Sequence, residues 1–264
     1  MWGRTGRGRN RCRARRVGRA PRRGDPPPAG HDPPPLKLLA LIPAHDEEPR
    51  IAAVVRGAAR HLPVVVVDDG SADGTARVAE AAGARVLRQT PNQGKGAALR
   101  TGFRLALAEG IPAVVTLDAD GQHDPAEIPK LVAAFAAGRP DLVIGCRDFG
   151  AMPPLRRLAN MLGSITLRLA LGEWIRDNQS GFRLVGRRIM EALASSGESG
   201  FEFEVEMIAE CLRRGWPIEW VPIRTIYAGG PSHIRNRDHL VGFLRTAWRL
   251  RGSADRRKAA ERTG

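Results

Sequence analysis

Four consecutive valines, Val64 to Val67, run directly into Asp68-Asp69-Gly70-Ser71. A β-branched run with no polar position has no face to offer water. It belongs in a strand covered on both sides, as in the interior of a parallel sheet. The flanking sequence follows the same logic. Leu36 to Ile42 reads as a strand ending at Pro43, and Glu47 to His61 as a helix with apolar positions at Ile51, Val54, Val55 and Ala58. A helix opening at Asp73 or Thr75 runs to about Ala82, and a short strand follows at Arg85 to Leu87. Then come a helix over Gly96 to Glu109, a strand over Ala113 to Leu117, a helix over Pro125 to Ala137 and a strand over Asp141 to Gly145. Strands alternating with helices imply right-handed parallel crossovers. The expected class is therefore α/β: an open, mostly parallel, doubly wound sheet with flanking helices.

Beyond Gly145 the pattern is less regular. An amphipathic helix is expected over 155–171, with Arg156, Arg157 and Arg168 among Leu, Met and Ile. A strand is expected over Gly181 to Val185, helices over Arg187 to Ala194 and Phe203 to Arg213, and a strand over Ile218 to Val221. A Gly- and Arg-containing loop, 226–238, leads to a final helix over 239–251 that sets Arg245, Arg249 and Arg251 beside Phe243, Leu244, Trp248 and Leu250. No run of about 18 apolar residues occurs, so no transmembrane helix is expected. Three widely spaced cysteines, Cys12, Cys146 and Cys211, argue against a disulfide framework or a Cys-rich zinc module and suit a reducing cytoplasm.

The formal charge of +14 sits mainly at the ends. Residues 1–35 carry ten Arg against two Asp, residues 251–264 are net +3, and only +3 remains for residues 36–250. With almost nothing apolar to bury, residues 1–35 read as a disordered Arg/Pro-rich arm, and 251–264 as a basic, disordered tail. The arm has no apolar core of a secretory signal. It reads either as a basic arm for anionic lipid or nucleic acid, or as a dispensable extension.

Ligands of an open parallel sheet bind beyond the carboxyl ends of its strands. There the sequence places Pro43-Ala44-His45-Asp46-Glu47, Asp68-Asp69-Gly70-Ser71 and Asp118-Ala119-Asp120-Gly121-Gln122-His123. Three acidic clusters on one rim repel one another and call for a cation. Asp118-x-Asp120, at the end of a buried-strand pattern, suits Mg²⁺ or Mn²⁺ carrying substrate phosphates. His123 is open between a further ligand and a polar loop residue. Pro91-Asn92-Gln93-Gly94-Lys95-Gly96 opens a helix, and its glycines, Lys95 and free N–H groups suit a phosphate. Neither a Walker loop nor a Gly-x-Gly-x-x-Gly after the first strand is present, which disfavours a dinucleotide cofactor.

Taken in order, these motifs resemble those of the family-2 glycosyltransferases with the GT-A fold. The matching pieces are Ile42 to Glu48, Val67 to Thr75, Asn92 to Gly96 and Asp118 to Pro125. Gly145-Cys146-Arg147, Asp177 to Arg183 and Phe201 to Glu206 make the chain similar to the dolichyl-phosphate mannose and glucose synthase branch. The resemblance spans about residues 37–250 and implies a catalytic domain over 36–250. It implies that Pro43, Ala44, His45 and Glu47 cradle the nucleobase and ribose of a nucleotide-sugar, and that Asp69, preceded by Asp68, reads a ring N–H. Lys95 and Gln122 fall on the donor side, and Asp118 and Asp120 on the metal and diphosphate. Arg147 and Arg183, with Gln179 and Ser180 between them, fall near an acceptor phosphate. Ser232, His233 and Arg237 fall in a loop that closes over the diphosphate or acceptor. Where the family often has Tyr-Asn this chain has His45-Asp46, which weakens stacking on the base.

The implied activity is metal-dependent, inverting transfer of a hexose from a UDP- or GDP-linked donor, with a polyprenyl phosphate as acceptor. An acceptor hydroxyl instead would need a carboxylate base, for which Glu202, Glu204 and Asp177 are candidates. The alternatives are a soluble transferase acting on a small phosphorylated acid or a saccharide, and a nucleic-acid- or membrane-binding module built on the Arg-rich ends. Nucleic acid is disfavoured because the arm offers only Trp2 for stacking. A sugar-nucleotide pyrophosphorylase is disfavoured by the missing Gly-rich N-terminal loop. The expected location is cytoplasmic and peripheral at the inner face of the membrane, met through the amphipathic segments at 155–171 and 239–251. The oligomeric state is left open. Residues 1–35 should be unnecessary for folding: a chain beginning near Pro35 is expected to melt at the same temperature as the full one. A loss of several degrees would show that the arm packs on the domain.

Overall fold

A computed structural model describes residues 36–147, 175, 177, 180–194, 202–224 and 226. The expectations for 1–35, 155–171, the loop beyond Ile226, 239–251 and 251–264 lie outside the described residues. The elements run β1 (Leu38–Ala44), α1 (Glu48–Ala59), β2 (Val64–Asp69), α2 (Thr75–Ala81), β3 (Arg85–Gln89), α3 (Lys95–Ala108) and β4 (Ala113–Thr116). After a 3₁₀ turn (Pro125–Glu127) come α4 (Ile128–Gly138), β5 (Leu142–Arg147), β6 (Arg183–Gly186), α5 (Arg187–Leu193), α6 (Glu202–Arg214) and β7 (Ile218–Ile223).

The seven strands form one sheet in the order β3-β2-β1-β4-β6-β5-β7. All neighbours are parallel except β6, which runs antiparallel to both β4 and β5. The expected mostly parallel sheet is observed, with one reversed strand inserted near its middle. Pro43 lies within central β1 because β4 pairs only with Leu38 to Leu41. At Pro43 the β4 side of the ladder has ended, so the missing N–H leaves no pair broken.

Both faces of β1 and β2 are covered. Leu39, Leu41, Val65 and Val67 pack into a core with Leu99 and Phe103 of α3, Ile189 of α5 and Phe203 of α6. The alternate residues Ala40, Ile42 and Val66 are also fully buried. Alternation places them on the opposite face, which α1 covers with Ile51, Val54, Val55 and Ala58. β2 carries two residues further than its valine run, through Asp68 and Asp69. Parallel pairing with Ala44 on one side and with Arg88 and Gln89 on the other continues that far. The helix expected from Pro125 begins as a 3₁₀ turn capped by Asp124, whose carboxylate accepts from Ala126 N at 3.0 Å.

Helix α3 lies close on β1 because Gly102 has no side chain. A Cβ there would stand 2.2 Å from Leu41 Cδ1 and 2.9 Å from Leu41 Cγ. Leu41 is fully buried and has no room to withdraw. Gly102→Val is therefore expected to destabilise the domain by about 1–3 kcal/mol through overpacking, more than the few tenths gained in helix propensity. Urea unfolding reads this as a lowered midpoint at unchanged m-value; an unchanged midpoint would refute the close approach.

Candidate active site

Strands β1, β2 and β4 are parallel neighbours, so their carboxyl ends open on one rim. The loops after β1 and β2 are stitched together there by backbone amides donating to side chains. Asp46 N donates to Ser71 Oγ at 3.0 Å and Glu47 N to Thr75 Oγ1 at 2.8 Å. Glu48 N donates to Asp73 Oδ2 at 3.1 Å, and Gly74 N to Glu48 Oε2 at 3.0 Å. Asp68 accepts from Ser71 through both its amide and its hydroxyl. Asp46, with a positive φ of 53°, accepts from Ala72 N at 2.8 Å. The carboxylate at 46 thus pins the second loop to the first. Pro43 and Ala44 are buried within β1, whereas His45 is exposed beside Asp46. Glu47 pairs with Arg50 at 2.7 Å.

Asp69 is buried, and both its oxygens are engaged internally. Oδ1 accepts from Gln89 Nε2 at 3.0 Å and Gln93 N at 2.8 Å, and Oδ2 accepts from Gly94 N at 2.6 Å. Asp69, expected to read a ring N–H, thus also holds the turn before α3. That turn sets Lys95 at the start of α3.

Lys95 Nζ lies 2.5 Å from Asp118 Oδ1 and 2.7 Å from Glu204 Oε1 of α6. The cation demanded by the acidic rim is thus supplied in part by the chain itself. Burial pushes the Asp118 carboxyl up, but the Lys95 ammonium and then His123 more than offset it and hold it at about 2. Burial likewise pulls the Lys95 ammonium down, yet Asp118 and Glu204 outweigh it and hold Lys95 above its ordinary range. Gly181 leaves room for this carboxylate, since a Cβ there would stand 2.7 Å from both Asp118 oxygens. Asp120 accepts from Gln122 N at 2.9 Å and Gln122 Nε2 at 2.8 Å. Gln122 therefore orients the second carboxylate of the pair. His123 Nδ1 accepts from Asp118 N at 3.2 Å while its ring stacks on Phe182 at 5.4 Å. Burial lowers its pKa. These contacts hold the His123 ring between the Asp118 main chain and Phe182.

Arg147 ends β5 and grips Asp177 with two bonds of 2.8 Å, from Nε and Nη2. Asp177 is fully buried and also accepts from Ser180 N at 3.2 Å. Arg183, expected beside an acceptor phosphate, is fully buried as well. Its Nε donates to Ser180 O at 2.7 Å and its Nη1 to Glu204 O at 2.5 Å. The expectation of direct phosphate contact by Arg183 is corrected: its guanidinium joins the start of β6 to α6 and has no exposed edge. Gln179, Ser232, His233 and Arg237 lie outside the described residues. The sequence reading weighed Glu204 only as a base and missed it as a partner of Lys95. Its one signal is a carboxylate set between Phe203 and Val205, both buried in α6. A cleft of about 330 Å³ lined by Pro112, Arg139, Asp141 and Arg188 lies at the amino end of β4 and β5, away from this rim.

The model of the family described as Glycosyl transferase family 2 matches residues 40–194. Polyprenol monophosphomannose synthase of Mycolicibacterium smegmatis is 32% identical over 256 residues, covering 89% of this chain and 96% of that protein. Undecaprenyl-phosphate mannosyltransferase of Micrococcus luteus is 34% identical over 203 residues, covering 71% and 83%. Glucosyl-3-phosphoglycerate synthase of Mycobacterium tuberculosis, solved with phosphoglyceric acid, superposes with a TM-score of 0.65 at 24% identity, covering 83% of this chain and 81% of that one. At that identity the likeness is one of fold.

The Arg147–Asp177 pair generates a stability prediction. Asp177→Ala leaves a largely buried guanidinium without its bidentate carboxylate and is expected to destabilise the domain by about 3 kcal/mol or more. Urea unfolding measures it. A loss below about 1 kcal/mol, the range of exposed pairs, would show that solvent reaches Arg147 freely.

Proposed function

The chain belongs to glycosyl transferase family 2 and has the GT-A fold, and from that premise we propose that it transfers a hexose from a UDP- or GDP-linked donor to a polyprenyl phosphate, with inversion and with Mg²⁺ or Mn²⁺ as cofactor. The observation that carries the acceptor is the extent of the match. Two relatives named for polyprenyl-linked mannosyl transfer align with this chain over most of both lengths. The domain proposed to do this spans residues 36–250, between the arm and the tail.

Asp118 and Asp120 suit a hard divalent cation. Both offer only oxygen, both sit at a strand end, and Asp118 already draws a cation, Lys95. When bound there, Mg²⁺ or Mn²⁺ supplies neutralisation of the departing nucleotide diphosphate. Gln122 holds the Asp120 carboxylate in register, and Asp69 holds the turn from which Lys95 reaches the rim. The stitched loops after β1 and β2, with exposed His45, are the proposed seat of the base and ribose. In the transfer, an acceptor phosphate oxygen attacks the anomeric carbon from the face opposite the diphosphate. The old carbon–oxygen bond breaks with its electron pair leaving on the diphosphate. A phosphate monoester has a second pKa of about 6, so at neutral pH it is already mostly a dianion and needs no strong base. Arg147 is the proposed partner of that dianion, anchored by Asp177 at its other edge. Arg183 acts indirectly, by fixing Ser180 and Glu204.

No helix among the described residues is long and apolar enough to cross a membrane. Contact with the inner membrane face is proposed through the Arg-bearing amphipathic segments at 155–171 and 239–251.

Asp118→Ala or Asp120→Asn is expected to lower turnover by roughly 10²-fold or more, and EDTA to abolish it. The acceptor is tested by supplying a panel of labelled UDP- and GDP-sugars to vesicles containing a polyprenyl phosphate, with a small phosphorylated acid as the competing acceptor. Label in the lipid fraction supports the proposal. Label only in the water-soluble acid would replace it with the soluble-transferase reading, and full activity in EDTA would remove the metal.

A further inference from the structure

Glu204 is an expensive residue to keep where it is. It is 3% exposed, and its Oε2 is buried with no hydrogen-bond partner among the described residues. A buried ion pair is weak evidence for stability, and an unsatisfied carboxylate oxygen is a penalty. The residue is nonetheless firmly placed. Its main-chain oxygen accepts from the buried Arg183, and the neighbouring Phe203 ring packs 5.9 Å from Phe103 of α3. Asp118, in contrast, stands at the free end of β4 with 27% of its side chain exposed, against 4% for Glu204. Lys95 joins the two: a long side chain with one carboxylate facing the open rim and one fixed behind it.

We propose that Lys95 is a resident counter-cation shared by Asp118 and Glu204, and that Glu204 is the positioning residue that retains the ammonium when Asp118 turns to a divalent cation. This rests on the metal reading of Asp118 and Asp120. Two cations on one carboxylate repel, so occupation of the site displaces Lys95 from Asp118. With Glu204 at 2.7 Å, that displacement is a small shift toward a carboxylate already in contact. Without Glu204, the ammonium loses the carboxylate that stands ready to receive it, and it competes with the metal for Asp118 more strongly. Lys95 therefore opposes metal binding in the empty site, and Glu204 relieves that opposition by drawing Lys95 toward itself.

The two residues then have opposite and coupled effects on binding of the metal alone. The test titrates Mn²⁺ into the full chain without nucleotide and follows the aqueous Mn²⁺ signal by electron paramagnetic resonance. Lys95→Met is expected to tighten Mn²⁺ binding by roughly tenfold, as loss of a nearby like charge does. Glu204→Gln is expected to weaken it. In a Lys95→Met background, Glu204→Gln should do nothing, because its influence runs through Lys95. Melting curves of each variant confirm that it is folded. A loosened fold weakens binding in every variant and cannot reproduce the gain in Lys95→Met. If wild-type Mn²⁺ binding depends on Asp118 yet Lys95→Met does not tighten it, the inference is overturned while the metal reading stands. The same holds if Glu204→Gln weakens binding equally in both backgrounds, which would mark a plain field effect. If neither wild type nor Lys95→Met binds Mn²⁺, even with UDP present, the metal reading fails and takes the inference with it.

Discussion

Lys95 stands where two carboxylates would otherwise face each other in a poorly solvated corner of the rim. Asp118 comes from the end of β4 and Glu204 from α6, elements far apart in sequence. Most of the site can be understood from what it takes to bring that ammonium there. Asp69 accepts the amides of Gln93 and Gly94 and so fixes the turn that starts α3. Gly102 lets α3, the helix that Lys95 begins, lie close on β1. Gly181 makes room for the Asp118 carboxylate. Each of these is a packing requirement with an electrostatic purpose.

Among the other acids of the rim, Glu47 pairs with Arg50 and several aspartates are held by main-chain amides. Asp46, Asp68, Asp73 and Asp69 each accept hydrogen bonds from backbone amides of the surrounding loops. The arrangement leaves the loops after β1 and β2 tied to each other. A rim built this way is preorganised, because its donors are main-chain groups with little freedom to reorient.

The reversed strand β6 brings a second layer of charge to the rim. It enters beside β4 with Gly181 and Arg183 at its start, and Thr116 Oγ1 donates to Gly181 O at 2.8 Å across the join. Arg183 turns its guanidinium inward to main-chain oxygens of Ser180 and Glu204, while Asp177 grips Arg147. The proposed donor side and the proposed acceptor side are thereby joined by buried groups. Such joining suits a transfer reaction, in which both reactants must meet in one fixed geometry.

The sequence by itself determined the sheet and its rim. The valine run, the strand–helix alternation and the acids at the strand ends are local signals, and each arises from period, β-branching or strand-end placement. Where elements differed in extent, as at Asp68 and Asp69 in β2, the cause was pairing with a neighbouring strand, which no single segment records. Only the tertiary structure decided what the charged residues do. Asp69 reads as a ligand and Asp46 as surplus charge, and only the amides opposite them show that both also tie the loops together. Arg183 reads as a phosphate contact until burial closes it off. Glu204 reads as a helix-face acid until Lys95 is found against it. The physical reason is the same in each case: a charged side chain's role depends on its solvation and its nearest counter-charge, and both are properties of distant segments brought together by the fold.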